Sequence, residues 1–277
     1  MNNIAGQIGD SNWFSGLKYL TYALLTLNVF LFLQEELLAA EHTFIDNFEL
    51  TDLIQMFSAT VDTSAWVILL LLFELETSVI PDEKIRGAIK WSLHGIRAVC
   101  YIFIAYAFYG YLVELQTLYH VQVLSGDPCA RAGGGWSLLV DLDEYVALDP
   151  RNCDAIGRQL WRLAGFNIVI QQDVLHAARM LAWTDVINAA TWILVVLVLE
   201  ADVRLQLRGQ LEGQVLAVSK MIKAGLYSTL FLAAIYWGFA GDFLDFWDAF
   251  LWLFAFIFIE LNVFSWQAET SDEQLRE

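Results

Sequence analysis

Residues that break helices are scarce in this sequence, since only 3 of its 277 residues are proline and 17 are glycine. Cysteine is also rare, with 3 residues, which excludes a small domain held together by many disulfides. Charged residues make up 17% of the chain, against about 25% in soluble proteins, so a soluble domain is excluded. Lysine and arginine total 15 against 32 acidic residues. This shortage of basic charge excludes nucleic acid as a partner, because phosphate binding needs clustered basic side chains.

Long apolar runs take the place of the missing charge: 58% of the residues are apolar and the mean hydropathy is +0.52. A helix needs about 20 mostly apolar residues to cross the hydrocarbon core of a bilayer. The composition therefore predicts an all-α polytopic membrane protein, with one membrane domain over residues 1–277. Six segments qualify as transmembrane helices, namely residues 14–38, 62–80, 89–118, 185–203, 215–240 and 246–266.

The charges between these segments predict an orientation. The short links Pro81–Ala88 and Arg204–Gln214 contain or adjoin basic residues. By contrast, Glu35–Asp62 has seven acids and no base, and Gly241–Asp248 has three acids and no base. Because cytoplasmic loops are enriched in lysine and arginine, both termini are expected in the cytoplasm and the acidic links outside. The short loops favour a bacterial inner membrane.

The third link, residues 119–184, is the only long one and is expected to face outward. Its second half repeats apolar residues at spacings of three and four, namely Ile156, Leu160, Leu163, Phe166, Ile170, Val174, Ala178 and Leu181. This period predicts an amphipathic helix over Asp154–Trp183. Such a helix would cover the end of the bundle at the membrane surface, or it would form a docking surface for a partner protein.

Two of the three cysteines, Cys129 and Cys153, fall in this outward link, whereas Cys100 falls inside the third apolar segment. A cysteine pair in an oxidising compartment predicts a disulfide. A zinc site is the weaker alternative, because no histidine accompanies the pair. A disulfide outside and basic loops inside predict the same topology.

A threefold internal repeat is predicted from residues at matched positions. Each even segment has Trp with Glu eight residues later, and polar residues four before that Trp and two after that Glu. Each odd segment has a basic residue with Tyr four residues later. These sets are Asp62, Trp66, Glu74 and Glu76; Asn188, Trp192, Glu200 and Asp202; Asp248, Trp252, Glu260 and Asn262; and, in odd segments, Lys18 and Tyr22, Arg97 and Tyr101, Lys223 and Tyr227. Their shared placement predicts three tandem two-helix hairpins with pseudo-threefold symmetry.

The matched charges are predicted to lie at one depth, near the cytoplasmic side. At about 1.5 Å per residue, each Glu lies roughly 12 Å further in than its Trp, and the bases enter the odd helices at that same level. An unpaired charge at membrane depth costs several kcal/mol, so a ring of ion pairs between hairpins is expected, with each Tyr beside its base. Glu76 and Asp202 are expected to point away from this ring. The candidate residues are Glu74, Glu200, Glu260, Lys18, Arg97, Lys223, Tyr22, Tyr101 and Tyr227.

The ring has two interpretations, a polar clasp that fixes the order of the hairpins or the lining of an aqueous path. The second interpretation makes the protein a channel or transporter for a small cation or proton, with acidic outer loops that concentrate cations. A non-catalytic membrane subunit that binds a partner, or a second copy of itself, through its outer face is the alternative. An enzyme is disfavoured because no catalytic motif is present, and no cofactor is expected. A loose cation site outside could be formed by Glu35, Glu36, Glu41, His42, Asp173 and His176, against the alternative of an ordinary solvated acidic rim.

Overall fold

The computed structural model describes residues 12–43, 56–80, 84, 86–157, 159–208, 210–256 and 258. Five helices in these ranges are long and apolar enough to cross a membrane. They are α1 (Asn12–Thr43), α2 (Ser58–Glu74), α3 (Ala88–Thr117), α4 (Gln172–Leu207) and α5 (Gly213–Ala240). A further helical segment, α6, covers residues 243–256. Residues 259–266 of the predicted sixth span, Glu260 among them, lie outside the described residues.

The helices pack in chain order, each of α1 to α4 against the next. α6 contacts α1, where the Asn28 side-chain amide donates a hydrogen bond of 2.7 Å to Asp248. Their shared core includes the fully buried Leu25, Val195 and Ala255. On the outer faces, large apolar side chains such as Phe239 are exposed. An exposed apolar surface of this extent is typical of a membrane protein.

A small sheet lies between α3 and α4, so the protein is not all-α. It has five strands, β1 (Val121–Val123), β2 (Ser137–Leu139), β3 (Tyr145–Ala147), β4 (Leu160–Leu163) and β5 (Ile168–Gln171). The strand order is β1-β4-β5-β2-β3, in which β2 and β5 are parallel and the other neighbours are antiparallel. We call residues 121–171 the sheet subdomain, and the ends of the helices beside it the sheet end. The opposite end, where Arg86 and Arg208 lie, is the basic end.

The predicted amphipathic helix over Asp154–Trp183 is wrong for most of its length. Strands β4 and β5 form a hairpin there, and the helix begins only at Gln172. From Gln172 onward the helical period belongs to α4, which has 36 residues. At 1.5 Å per residue α4 is about 54 Å long, whereas the hydrocarbon core of a bilayer is roughly 30 Å thick. The extra turns bury Leu175, Ala178 and Leu181 against the sheet.

The sheet subdomain is fastened both internally and to the bundle. Cys129 and Cys153 form a disulfide with a Cα–Cα distance of 5.1 Å, which links the two short 3₁₀ turns Pro128–Arg131 and Cys153–Ala155. Cys153 is buried beside Leu148 and Val169 in the core of the subdomain. At the end of α1, the His42 ring stacks on Tyr145 and its Nδ1 lies 3.1 Å from the Ser137 hydroxyl. These contacts hold the β2–β3 hairpin over the sheet end.

Candidate functional site

An acidic cavity of about 620 Å³ lies at the sheet end, between the helices and the sheet subdomain. Every helix contributes to its wall, and the hairpin loops of the sheet close over it through Asp143, Tyr145 and Phe166. Eight carboxylates line it: Glu35, Glu36, Asp62, Glu114, Asp143, Asp185, Asp245 and Asp248. None of the described lining residues is lysine, arginine or histidine. The described wall of the acidic cavity therefore combines many carboxyl groups with no basic side chain.

Some of these carboxylates accept hydrogen bonds that fix their positions. Glu36 accepts from the backbone N–H of Ala59 at 2.8 Å and from the Thr60 hydroxyl at 2.5 Å, so it caps the first turn of α2. Trp66 donates its ring N–H to Asp62, one turn away, at 3.1 Å, and Trp237 donates to Asp185 at 3.2 Å. For Glu35, Glu114 and Asp143, no described residue donates a hydrogen bond. These three carboxylates face the cavity with their full acceptor capacity.

Asp143 is the carboxylate that the sheet subdomain places over the cavity. Burial raises its pKa to about 7, and the neighbouring charges of Asp242, Asp141 and Glu144 act in the same direction. Burial also raises the pKa of the adjacent Tyr145 hydroxyl, as do the charges of Asp143 and Glu114. Both shifts follow from burial beside several acidic neighbours.

Three tryptophans contact one another at the inner side of the cavity, and two of them, Trp192 and Trp252, line it. Trp66, Trp192 and Trp252 contact one another with ring-centroid distances of 6.3, 6.4 and 6.2 Å, and we call this set the tryptophan triangle. They come from α2, α4 and α6, at the matched positions of the sequence pattern. Asp62, Asn188 and Asp248 stand one turn nearer the sheet end and line the cavity. The tryptophan triangle therefore lies between the acidic cavity and the middle of the bundle.

The candidate charges of the sequence pattern lie near the basic end, on the other side of the tryptophan triangle. Lys18 contacts Glu74 at 2.6 Å, with their side chains 10% and 7% exposed. The Tyr22 hydroxyl donates to the second oxygen of Glu74 at 3.4 Å, and the Tyr19 hydroxyl donates to the first at 3.2 Å. This group joins α1 to α2 through a buried ion pair with two phenol donors.

The other two bases form ion pairs with the two acids that were expected to point away from the ring. Arg97 contacts Glu76 at 2.6 Å, and Lys223 contacts Asp202 at 2.8 Å. Each of these acids precedes its base by 21 residues. Helices α3 and α5 turn back directly beside α2 and α4. The acid two residues after the Glu of the repeat pattern therefore faces the helix that follows. The equal separation of 21 residues is a signal in the sequence that could have identified both pairs.

Three further candidates of the pattern take no part in an interhelical ion pair among the described residues. Glu200 pairs with Arg204 one turn along α4, and both side chains are more than half exposed. Tyr101 is 43% exposed. Tyr227 packs against Phe256. Among the described residues, the three bases of the pattern form separate ion pairs, of which two use Glu76 and Asp202. Glu260 and Asn262 lie outside the described residues, so the complete ring stays a prediction.

The loose cation site suggested by the outer histidines is not assembled. His42 contacts the β2–β3 hairpin, whereas Asp173 and His176 line a shallow cleft with Gly157 and Gln171. Among the described residues, the one group of His, Cys, Asp or Glu side chains with closely converging ligand atoms is Cys129, Cys153 and Asp154. Its two sulfurs are already bonded to each other, so it is a disulfide with a neighbouring acid.

No family model matches the sequence, and neither a curated protein nor a solved structure resembles the chain significantly.

Proposed function

We propose that the protein is a channel or transporter for small cations, which enter through the acidic cavity. The observation that carries this proposal is the cavity wall, with eight carboxylates and no basic residue among its described members. Like charges gathered in a low-dielectric cleft repel one another and attract counter-ions strongly. A cation in the cavity would relieve that repulsion, so the acidic wall favours the binding of positive charge.

The arrangement below the cavity supports a transport path with a closed constriction. The tryptophan triangle spans the space between α2, α4 and α6 directly beneath Asp62 and Asp248. Beyond it, the ion pairs of Lys18, Arg97 and Lys223 tie neighbouring helices together at the basic end. Transport in this proposal requires the triangle to open, and the ion pairs act as the clasp that keeps the helices in register while it does.

The proposed architecture is three tandem hairpins, of which the third is formed by α5 and α6. Two observations support it. The three tryptophans of the repeat meet at one point, and the pairs Glu76–Arg97 and Asp202–Lys223 have the same separation. The charge distribution supports the orientation, with the basic end in the cytoplasm and the sheet end outside. We place the protein in the bacterial inner membrane on the same reasoning, with both termini cytoplasmic.

A flux measurement tests the proposal. Purified protein is reconstituted into liposomes, and uptake of Na⁺, K⁺ and Mg²⁺ and of protons is followed with an imposed membrane potential and with a pH gradient. We expect uptake of at least one cation, and a loss of about a hundredfold in the double variant Asp62→Asn/Asp248→Asn, since two charge-assisted contacts worth roughly a factor of ten each are removed. Glu212→Gln, an exposed acid at the basic end, is the control and should keep its flux. No uptake of any cation under either driving force would reject the proposal.

A further inference from the structure

The size of the acidic cavity is unusual for a site that holds one inorganic ion. Its volume of about 620 Å³ lies within the range of roughly 300–1,000 Å³ that is typical of pockets for small organic ligands. A metal ion with six waters would fill about 200 Å³ of it, at roughly 30 Å³ per water. The cavity has room for an extended molecule.

The carboxylates are spread around the wall instead of converging. They come from α1, α2, α3, α4, α6 and the sheet subdomain. Among the described residues, no three acids of the cavity bring one ligand oxygen each within 4.8 Å of one another. A protein site for Ca²⁺ gathers 6–8 oxygens at about 2.3–2.6 Å from the ion. The dispersed acids instead provide several separate places for positive charge.

The chemistry of the wall also calls for hydrogen-bond donors and apolar segments in the ligand. Ionised carboxylates only accept, and Asn188, which lines the cavity, has a buried Oδ1 that no described residue contacts as a donor. Between the acids, seven aromatic side chains line the wall, Tyr111 and Trp192 among them. An ammonium group brings three N–H donors, interacts favourably with aromatic faces, and is followed by methylenes that pack on the same rings.

We infer that the ligand of the acidic cavity is a linear aliphatic polyamine, with two or more ammonium groups separated by short methylene chains. This inference names the substrate class of the proposed transporter and depends on that function for its biological meaning. Each ammonium group would pair with one or two carboxylates, and the chain between them would lie against the aromatic residues. The ammonium groups would supply the donors that the cavity wall lacks.

Calorimetric titration of the full-length protein in detergent tests the inference, with spermidine, putrescine and MgCl₂ compared at one ionic strength. We expect spermidine to bind about tenfold tighter than putrescine, because each additional ammonium–carboxylate contact contributes roughly a factor of ten, and putrescine to bind tighter than Mg²⁺. Asp62→Asn should weaken spermidine binding about tenfold. Tyr111→Leu should weaken it by roughly threefold, through the lost cation–π contact, and leave Mg²⁺ unchanged. Glu212→Gln should leave both affinities unchanged.

The comparison of ligands on the wild-type protein needs no variant to fold. Equal or tighter binding of Mg²⁺ would overturn the polyamine inference and leave cation transport standing. Spermidine binding with the expected selectivity, but without uptake of spermidine or any inorganic cation into liposomes, would support the inference on the ligand and reject transport. An absence of heat from all three ligands would overturn the inference, and the separate flux measurement would then decide the fate of the proposed function.

Discussion

At the scale of single residues, two ion pairs of similar length differ in what surrounds them. Lys18 and Glu74 lie 2.6 Å apart with side chains 10% and 7% exposed, whereas Arg204 and Glu200 lie 2.9 Å apart with 70% and 56% exposed. An exposed pair contributes about 0–1 kcal/mol, because water screens both charges. A buried pair responds asymmetrically: losing one partner leaves the other charge without compensation.

Glu74→Gln is therefore expected to lower the free energy of unfolding by about 3–5 kcal/mol, because Lys18 is left buried beside a neutral group. Each kcal/mol corresponds to a melting shift of roughly 2–4 °C in a protein of this size class. The measurement is thermal unfolding in detergent. Lys18→Met added to Glu74→Gln should recover much of the loss, and Glu200→Gln, the matched exposed acid, should change little. Equal melting of Glu74→Gln and Glu200→Gln would show that the buried pair is no clasp.

Asp143 gives a second expectation at this scale, since its pKa of about 7 lies well above its ordinary value of 3.8. The folded state then holds the proton more tightly than the unfolded state, so stability falls as pH rises between these two values and is lowest above about 7. The charges of three acidic neighbours raise the pKa of Asp143: Asp141, Glu144 and Asp242. The other titratable groups that interact with Asp143 are also acids or a phenol, namely Glu35, Glu114, Asp185, Asp245 and Tyr145. His42 lies one contact further away, stacked on Tyr145.

We accordingly expect the melting temperature to fall between about pH 5 and pH 8, and Asp143→Asn to flatten this slope by removing one titrating group. The exposed Glu212→Gln protein should keep the wild-type slope. A bound cation should raise the melting temperature most at the higher pH, where Asp143 is ionised. A slope that is the same in wild type and Asp143→Asn would assign the pH dependence to other groups.

At the scale of elements, the five described long helices follow from the apolar runs, because each run is long enough and free of proline. The sheet could not be predicted from the helical period alone. Leu160, Leu163, Phe166 and Ile170 satisfy spacings of three and four by coincidence, since two four-residue strands are separated by a turn. The signals against a helix were local: Gly165 adopts a positive φ of 87°, and Ile168-Val169-Ile170 is a β-branched run, which favours a strand. Short strands with a one-turn link mimic a helical period.

The sheet subdomain should depend on its disulfide. Replacing Cys129 and Cys153 by alanine is expected to destabilise the subdomain by about 3–4 kcal/mol, on the chain-entropy model for a loop of this length. A denatured, unreduced sample should expose one thiol to a labelling reagent, that of Cys100, and a reduced sample should expose three. Three reactive thiols before reduction would show that the bridge does not form in the membrane-inserted protein.

At the scale of the whole molecule, the two ends of the helices differ in how their acids are paired. The cavity at the sheet end has eight carboxylates and no base among its described lining residues, whereas acids at the basic end form ion pairs with Lys18, Arg97 and Lys223. The sequence pattern identified Asp62, Asn188 and Asp248 as members of the repeat, but the predicted path was assigned to the charges at the basic end. The cavity was missed because its carboxylates come from six separated parts of the chain, and Asp143 reaches it only through the sheet that the periodicity did not predict. Residues so distant in sequence share no regular spacing that could reveal a common site. Asp62 and Trp66, by contrast, lie one helical turn apart and form a recognisable pattern.

The separation of charge gives the last prediction, on orientation. Gln122 lies exposed on the sheet subdomain and Arg208 lies exposed at the basic end. In a Cys100→Ala background, Gln122→Cys should react with a membrane-impermeant thiol reagent in sealed right-side-out vesicles. Arg208→Cys should react only after the vesicles are permeabilised, because basic loops remain in the cytoplasm. The opposite labelling would place the acidic cavity on the cytoplasmic side, and the proposed direction of cation entry would then reverse.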